Sequence, residues 1–154
     1  MTPTDNPQES VRRLVERIVE AFGIDAEVAV SERGEQLLVE VSGDDLDAFI
    51  GRDGTVIDAV QHLAYKVASA GGARGPRVVV DAGGYRDRRR EALERAADQA
   101  AERALESGGE VALEPMSAIE RKVVHEYLRE RGDVETWSEG TEPSRHLVVA
   151  PLES

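Results

Sequence analysis

Cysteine is absent from this 154-residue chain, aromatic residues make up only 4% of it, and no surplus of positive charge or long apolar run is present. Without cysteine there are no disulfides and no thiolate zinc sites, a usage that fits a reducing compartment. No apolar stretch approaches the ~20 residues of a membrane helix. The start, Met1 to Pro7, lacks the charged and apolar zones of a signal peptide. A cytoplasmic location with no membrane contact is therefore expected. The charge surplus is negative, 19 Lys and Arg against 31 Asp and Glu, for a net −12. That excludes a binder that grips nucleic acid by bulk charge, because such binding depends on Lys and Arg displacing counterions. Any nucleic-acid contact has to be local.

Catalysis is poorly served as well. Three histidines and no cysteine leave no nucleophile with an evident activating base. His125-Glu126-Tyr127-Leu128-Arg129 begins like the H-E-x-x-H helix of zinc proteases but has Arg where the second ligand belongs. Val78 to Gly84 reads as a strand entering a Gly-containing turn, yet neither G-x-G-x-x-G nor G-x-x-x-x-G-K-[ST] occurs. No cofactor or metal is expected. An enzyme that handles nucleotides through Asp81 and the neighbouring arginines stays open as a lesser alternative.

What is present is a Gly-x-x-Gly tetrapeptide, Gly51-Arg52-Asp53-Gly54, set between the apolar, helix-patterned segments that end at Phe49-Ile50 and begin at Val56-Ile57. Two glycines three apart let a turn between helices bare its backbone N–H groups to a sugar-phosphate strand. The helix that follows adds unpaired N–H groups and partial positive charge. With 14 glycines in the chain, about one such pair arises by chance. Gly72-Ala73-Arg74-Gly75 has the same spacing but no apolar segment before it, and reads as a loop. The flanks carry the signal.

Apolar periodicity orders the rest. Val11, Leu14, Val15, Ile18, Val19 and Phe22 predict a first helix that stops at Gly23. Glu27 to Val30 and Gln36 to Val41 predict a strand pair. Asp44 to Ile50 predicts a short helix, and Val56 to Ala68 a longer one. Val78-Val79-Val80 marks a buried strand over 77–81. Tyr85 to Ser107 reads as one long helix with Ala92, Leu93, Ala96, Ala97, Ala100, Ala101, Ala104 and Leu105 on one side, a mostly small-residue stripe suited to packing within the monomer or to dimerisation. Val111 to Leu113 reads as a short strand, Pro115 as the opening of a helix with Ile119, Val123, Val124, Tyr127 and Leu128 inward, and Val134 to Trp137 and His146 to Ala150 as two final strands.

Residues 10–82 resemble a type II KH domain, in which a helix and a strand precede a strand, helix, Gly-x-x-Gly, helix, strand core. Residues 110–151 resemble an R-three-H domain, through Arg121-Lys122-Val123-Val124-His125, with Leu113-Glu114-Pro115-Met116 before it and Val134-Glu135-Thr136 and Ser138 to Arg145 after it. In this order, joined through Gly84-Tyr85-Arg86-Asp87-Arg88-Arg89, the pair resembles the bacterial Jag or KhpB family of RNA-binding proteins. The resemblance implies an α+β protein with a mobile segment 1–9, a KH domain over 10–83 and an α/β R-three-H domain over 84–154 that includes the long helix. It also implies a non-catalytic binder of single-stranded RNA, a post-transcriptional regulator or RNA chaperone, with a small single-KH protein as a heterodimer partner. Single-stranded DNA stays open, because such a clamp reads backbone. The chain departs from the family in two ways: the N-terminal Jag segment of many members is missing, and Asp53 stands where a basic residue is common.

Under this resemblance Gly51, Arg52, Asp53 and Gly54 hold the backbone of about four nucleotides, and Ile50, Ile57 and Val39 form an apolar floor for bases. Plain core packing is the other reading of those three. Arg121 and His125, four apart, share a helix face and are expected to grip one phosphate together, with Arg145 in support. A solvated Arg and a hydrogen-bonded His is the alternative. Arg86, Arg88, Arg89 and Arg90 open the long helix, where positive charge opposes its macrodipole. They form either a phosphate path or pairs with the abundant acids. An adaptor that kept the KH fold and binds protein is the rival to RNA binding.

Overall fold

The computed structural model describes residues 6–70 and 75–153. They form two compact units, Met1–Arg86 and Asp87–Ser154. The first unit opens with helix α1, Pro7–Ala21. Asn6 caps it, its side chain accepting the Glu9 N–H at 2.8 Å, and Pro7 occupies the first turn, where its missing N–H costs nothing. The segment 1–9 expected to be mobile is thus helical from Pro7, because a cap and a proline start the helix earlier than its apolar stripe does; residues 1–5 lie outside those described.

Strands β1, Ala26–Arg33, and β2, Gln36–Gly43, pair antiparallel around a two-residue turn at Gly34-Glu35, tighter than the four-residue break expected. Gly34 takes φ 62°, which glycine adopts without penalty. Helix α2, Asp47–Ile50, a single 3-10 turn at Arg52–Gly54, and helix α3, Thr55–Ala68, lead toward strand β3, Arg77–Ala82, which lies parallel to β2 in a sheet ordered β1-β2-β3. One face of this sheet, carrying Val30, Leu37, Val39, Val41, Val78, Val80 and Ala82, packs on α1 and α3 through Val11, Val15, Val19, Ile57, Val60 and Ala64. Burying a side chain such as Ile57 contributes roughly 1.5–3 kcal/mol. Of the comparison loop at Gly72 to Gly75, residues 72–74 lie outside those described.

Helix α4, Tyr85–Ser107, starts in the first unit and supplies the core of the second. The division falls after Arg86, not after residue 83, because the first turn of α4 is bonded to the first unit through Arg86. The buried residues of α4, Leu93, Ala97, Ala100, Ala101 and Ala104, pack with helix α5, Ala118–Arg129, and with Val134, Leu147 and Val149. The stripe therefore packs within the unit through these five residues, while Ala96 and Leu105, expected on the same side, are exposed. Strands β4, Val111–Ala112, β5, Val134–Glu139, and β6, His146–Pro151, form an antiparallel sheet ordered β4-β6-β5. Tyr127 donates to Asp98 at 2.8 Å, and Arg131 bonds both Asp98 and Asp133.

Helix α5 departs from its expected start and face. Ser117, not Pro115, begins it, by accepting the Glu120 N–H. Its buried residues are Arg121, Val124 and Leu128, while Ile119 is 76% exposed. Apolar character alone favours 119 and 123 as core; the observed i, i+3, i+7 stripe takes Arg121 instead.

Candidate nucleic-acid interface

The turn between α2 and α3 is a run of left-handed and extended backbone. Gly51 has φ 75° and ψ 174°, Asp53 φ 53° and ψ 26°, and Gly54 φ 82° and ψ 14°. Only the two glycines adopt such angles without strain, and Asp is among the few side chains that tolerate the left-handed region. Gly51 N–H closes α2 on Asp47 O at 2.8 Å, and Gly54 N–H reaches Gly51 O at 3.3 Å. Arg52 and Asp53 are left exposed at the mouth of α3. Among the described residues Arg52 has no ion-pair partner.

The glycines themselves are explained by the protein's own atoms. A Cβ on Gly51 would lie 2.4 Å from Val56 Cγ2, and one on Gly54 would lie 2.5 Å from Tyr85 Oη. Gly54 is buried. The pair thus has a reason within the protein besides the expected one, a corner bared to an incoming strand: the Cβ positions of both glycines are taken by side chains of this chain, while Gly51 stays half-exposed and Arg52 and Asp53 face outward. The apolar floor is corrected. Val39 and Ile57 are fully buried and Ile50 is 9% exposed, all three within one core, so core packing is their role.

Tyr85 reaches Gly54 because the first turn of α4 is bonded to β3 and α3. Asp81 Oδ1 accepts the N–H groups of Ala82 and Arg86. Arg86 Nε donates to Val80 O at 2.9 Å, its other nitrogens to Asp58 at 2.8 Å and Gln61 at 3.0 Å, and Gln61 accepts the Val80 N–H. Arg86 and Gln61 thus occupy both outward backbone groups of Val80 on the β3 edge. Asp81, the carboxylate of the nucleotide-handling alternative, serves here as a cap for α4. Neither Tyr85 nor Gln61 stands out in the sequence, for the bonds that matter join residues 19 to 31 apart and leave no local pattern.

In the second unit three of the basic residues, Arg89, Arg121 and Arg145, are buried or half-buried. Arg121 is 8% exposed. It donates to Met116 O at 2.6 Å and to Glu142 Oε1 at 2.8 Å, so it fastens the loop after β5 to the start of α5. His125 is half-buried, its Nδ1 bonded to Thr136 Oγ1 on β5. The two share a face as expected, but Arg121 is already committed to a carboxylate and a carbonyl. Arg145 donates to Gly140 O at 2.6 Å and closes the same loop. Arg89 pairs with Glu120 at 2.7 Å, with a second bond at 3.1 Å, and Arg90 with Asp87 at 2.8 Å. For Arg86, Arg89 and Arg90, pairing with acids is what the geometry shows; Arg88 is exposed. Among the described residues no group of acidic and histidine side chains is placed to hold a metal, and no helix is long and apolar enough to cross a membrane.

Comparison with known proteins matches residues 8–80 to the family model of the KhpA/KhpB KH domain and residues 91–151 to that of the R-three-H domain. The RNA-binding protein KhpB of Clostridium symbiosum is 32% identical over 145 residues, 93% of this chain and 65% of that protein. Its counterpart from Lactiplantibacillus plantarum is 34% identical over 133 residues, 86% of this chain and 41% of that protein. That of Bacillus subtilis is 28% identical over 147 residues, 94% and 71% respectively. The chain thus spans between about two-fifths and seven-tenths of the length of these relatives.

Proposed function

The chain belongs to the KhpB family, a KH domain followed by an R-three-H domain, and from that membership we propose that it binds single-stranded RNA without catalysis, as a post-transcriptional regulator or RNA chaperone in the cytoplasm. The observation that carries the reading is the apex at Arg52-Asp53. It lies between two positive-φ glycines whose Cβ positions are taken by Val56 and Tyr85, at the mouth of a 14-residue helix, and it offers a guanidinium with no intramolecular ion pair among the described residues. Helix N–H groups and one arginine suit one or two phosphates of a strand, not a long charged tract. Gly51 and Gly54 fix the shape of that contact, Arg52 makes it, and Asp53 limits its strength. His125 is the contact of the R-three-H domain, with Arg121 and Arg145 as positioning residues behind it. A small single-KH protein is the proposed protein partner, and single-stranded DNA is a second ligand the backbone contact would admit.

The test is binding of a fluorescent oligoribonucleotide across a salt series. With Z phosphates neutralised the slope of log K against log salt is about −0.7Z for a single strand, so one to three contacts give a slope between about −0.7 and −2. Arg52→Glu should weaken binding and flatten that slope by about 0.7. No binding at low salt would instead favour a protein-interaction adaptor, the reading that the acidic net charge and the internally satisfied glycines encourage.

A further inference from the structure

The face of the first sheet that turns away from α1 and α3 has a charge order of its own. Strand register places Arg33 opposite Gln36 and Gln36 opposite Arg77, so these three residues form one row across β1, β2 and β3. The next row on that face is Ser31, Leu38 and Val79, the following one Ala29, Glu40 and Asp81. Neighbouring strands lie about 4.8 Å apart, which puts the backbones of Arg33 and Arg77 about 10 Å from each other with the Gln36 amide between them. Both arginines are exposed, and among the described residues neither has an ion-pair or hydrogen-bond partner for its guanidinium. Arg86, Arg89, Arg90, Arg121 and Arg131 are taken up by carboxylates, whereas here two cations without such partners stand in one row of a sheet.

Arg33, Gln36 and Arg77 also line one open cleft of about 800 Å³ at this end of the sheet, with Glu35, Gly75 and Pro76. Among the described residues Glu35 is the single acid on its wall; its backbone carbonyl accepts the Arg77 N–H at 3.2 Å, and its carboxylate pairs with neither arginine. The row lies at the start of β3, whereas Tyr85 and the turn at Gly51 to Gly54 follow its other end, so the two places are separated by the length of that six-residue strand.

We propose that the Arg33-Gln36-Arg77 row is a second phosphate-binding site, distinct from the turn at Arg52. The two guanidinia supply only donors, and the Gln36 amide between them can turn its N–H₂ to the same space, so that a phosphate oxygen set accepts from all three. Leu38 and Val79, half-buried in the adjoining row, give an apolar surface beside it for the sugar or base that such a phosphate carries. The ligand chemistry is therefore a phosphate group, either the phosphodiester of a strand or the terminal phosphates of a nucleotide. The site does not depend on the RNA contact proposed for Arg52.

The test is NMR of the full chain, following the Arg Nε–H groups of Arg33 and Arg77 while two probes are added at matched ionic strength: sodium pyrophosphate, and a short oligouridylate without terminal phosphates. Saturable shifts with pyrophosphate alone assign terminal phosphates, saturable shifts with the oligouridylate alone assign phosphodiester, and both together support a site that takes either. Arg33→Ala and Arg77→Ala should each weaken the response about tenfold, and Gln36→Glu, which keeps both arginines but puts a carboxylate between them, should weaken it at least as much. Arg52→Glu should leave it unchanged. Shifts matched by sodium chloride, no shift with either probe, binding that survives loss of both arginines, or binding abolished by Arg52→Glu would each overturn the proposal.

Discussion

Arg52 and Arg121 hold the same charge at the centre of two signature motifs, yet one guanidinium faces water and the other is clasped by Met116 and Glu142. The difference follows from what each motif is made of. Gly51 to Gly54 is a backbone shape: its glycines set dihedral angles, its neighbours Val56 and Tyr85 fill the space above them, and its two side-chain positions are turned outward by default. Arg121 and His125 are positions on a helix that must bury one face, and the stripe α5 buries is Arg121, Val124 and Leu128. The turn motif therefore leaves its arginine for a ligand. A helical motif first has to satisfy its own core.

The largest expected effect breaks the turn. Gly54→Ala would force a Cβ to within 2.5 Å of Tyr85 Oη at φ 82°. Left-handed strain of about 1–2 kcal/mol and overpacking of about 1–3 kcal/mol should add, to a loss of about 2–5 kcal/mol in urea unfolding. In a Tyr85→Ala background the same substitution should cost only the strain, about 1–2 kcal/mol. Equal losses in both backgrounds would show that Tyr85 does not set the turn. The double change of both glycines to Asp, an obvious way to silence the motif, would thus unfold the region it was meant to probe.

Next is the helical motif. Arg121→Ala should destabilise the second unit by about 1–3 kcal/mol, because it strips the buried end of α5 of a charge-assisted bond to a backbone carbonyl and leaves Glu142 unpaired. Arg121→Lys, lacking the fork that reaches both acceptors, should recover only part of that loss. A variant that unfolds like wild type but binds RNA more weakly would make Arg121 a contact residue and remove the contrast with Arg52.

Arg52→Glu and Asp53→Lys sharpen the other side of it. Arg52→Glu should not move the urea midpoint, since its side chain is exposed, whereas Asp53→Lys should lower stability by up to about 1 kcal/mol, because Lys tolerates φ 53° less well than Asp. RNA affinity should fall in the first and rise in the second, each by about threefold to tenfold at low salt, the worth of one phosphate contact. Unchanged affinity in Asp53→Lys would mean that this side chain points away from the strand.

Much of this could be read from the residues. Helices α3 and α4 and the strand β3 announce themselves by dense apolar periodicity at one repeat, and the turn at Gly51 by its flanks. Local sequence misplaced the face of α5, because Ile119 and Val123 outweigh an arginine on any hydrophobicity scale, although Arg121, Val124 and Leu128 keep the helical period equally well. It also missed the origin of the glycines. Tyr85 lies 31 positions from Gly54, and only the bonds of Arg86 to Val80, Gln61 and Asp58 bring it there. Most of the candidate arginines are legible as charge but not as partners, since a group's distance in sequence says nothing of its distance in space.

The smallest effect concerns acid. Asp133 lies in the second unit, where hydrogen bonds from Arg131 hold its carboxyl below the usual carboxylate range, with the charge of the same guanidinium acting in the same sense. A carboxyl with a lowered folded-state pKa contributes stability that is complete above its unfolded value, near 3.9 by the usual reference, and that declines as pH falls through the folded value. Asp133→Asn should therefore lower the thermal midpoint slightly at neutral pH, and its curve should meet that of wild type only once the solution is acid enough to protonate Asp133 in the native chain. Because the pair is partly exposed, salt should shrink the gap. A gap that persists unchanged at the most acid pH would place the effect of the substitution in packing and not in charge, and would separate Arg131 from the arginines that organise this unit through ion pairs.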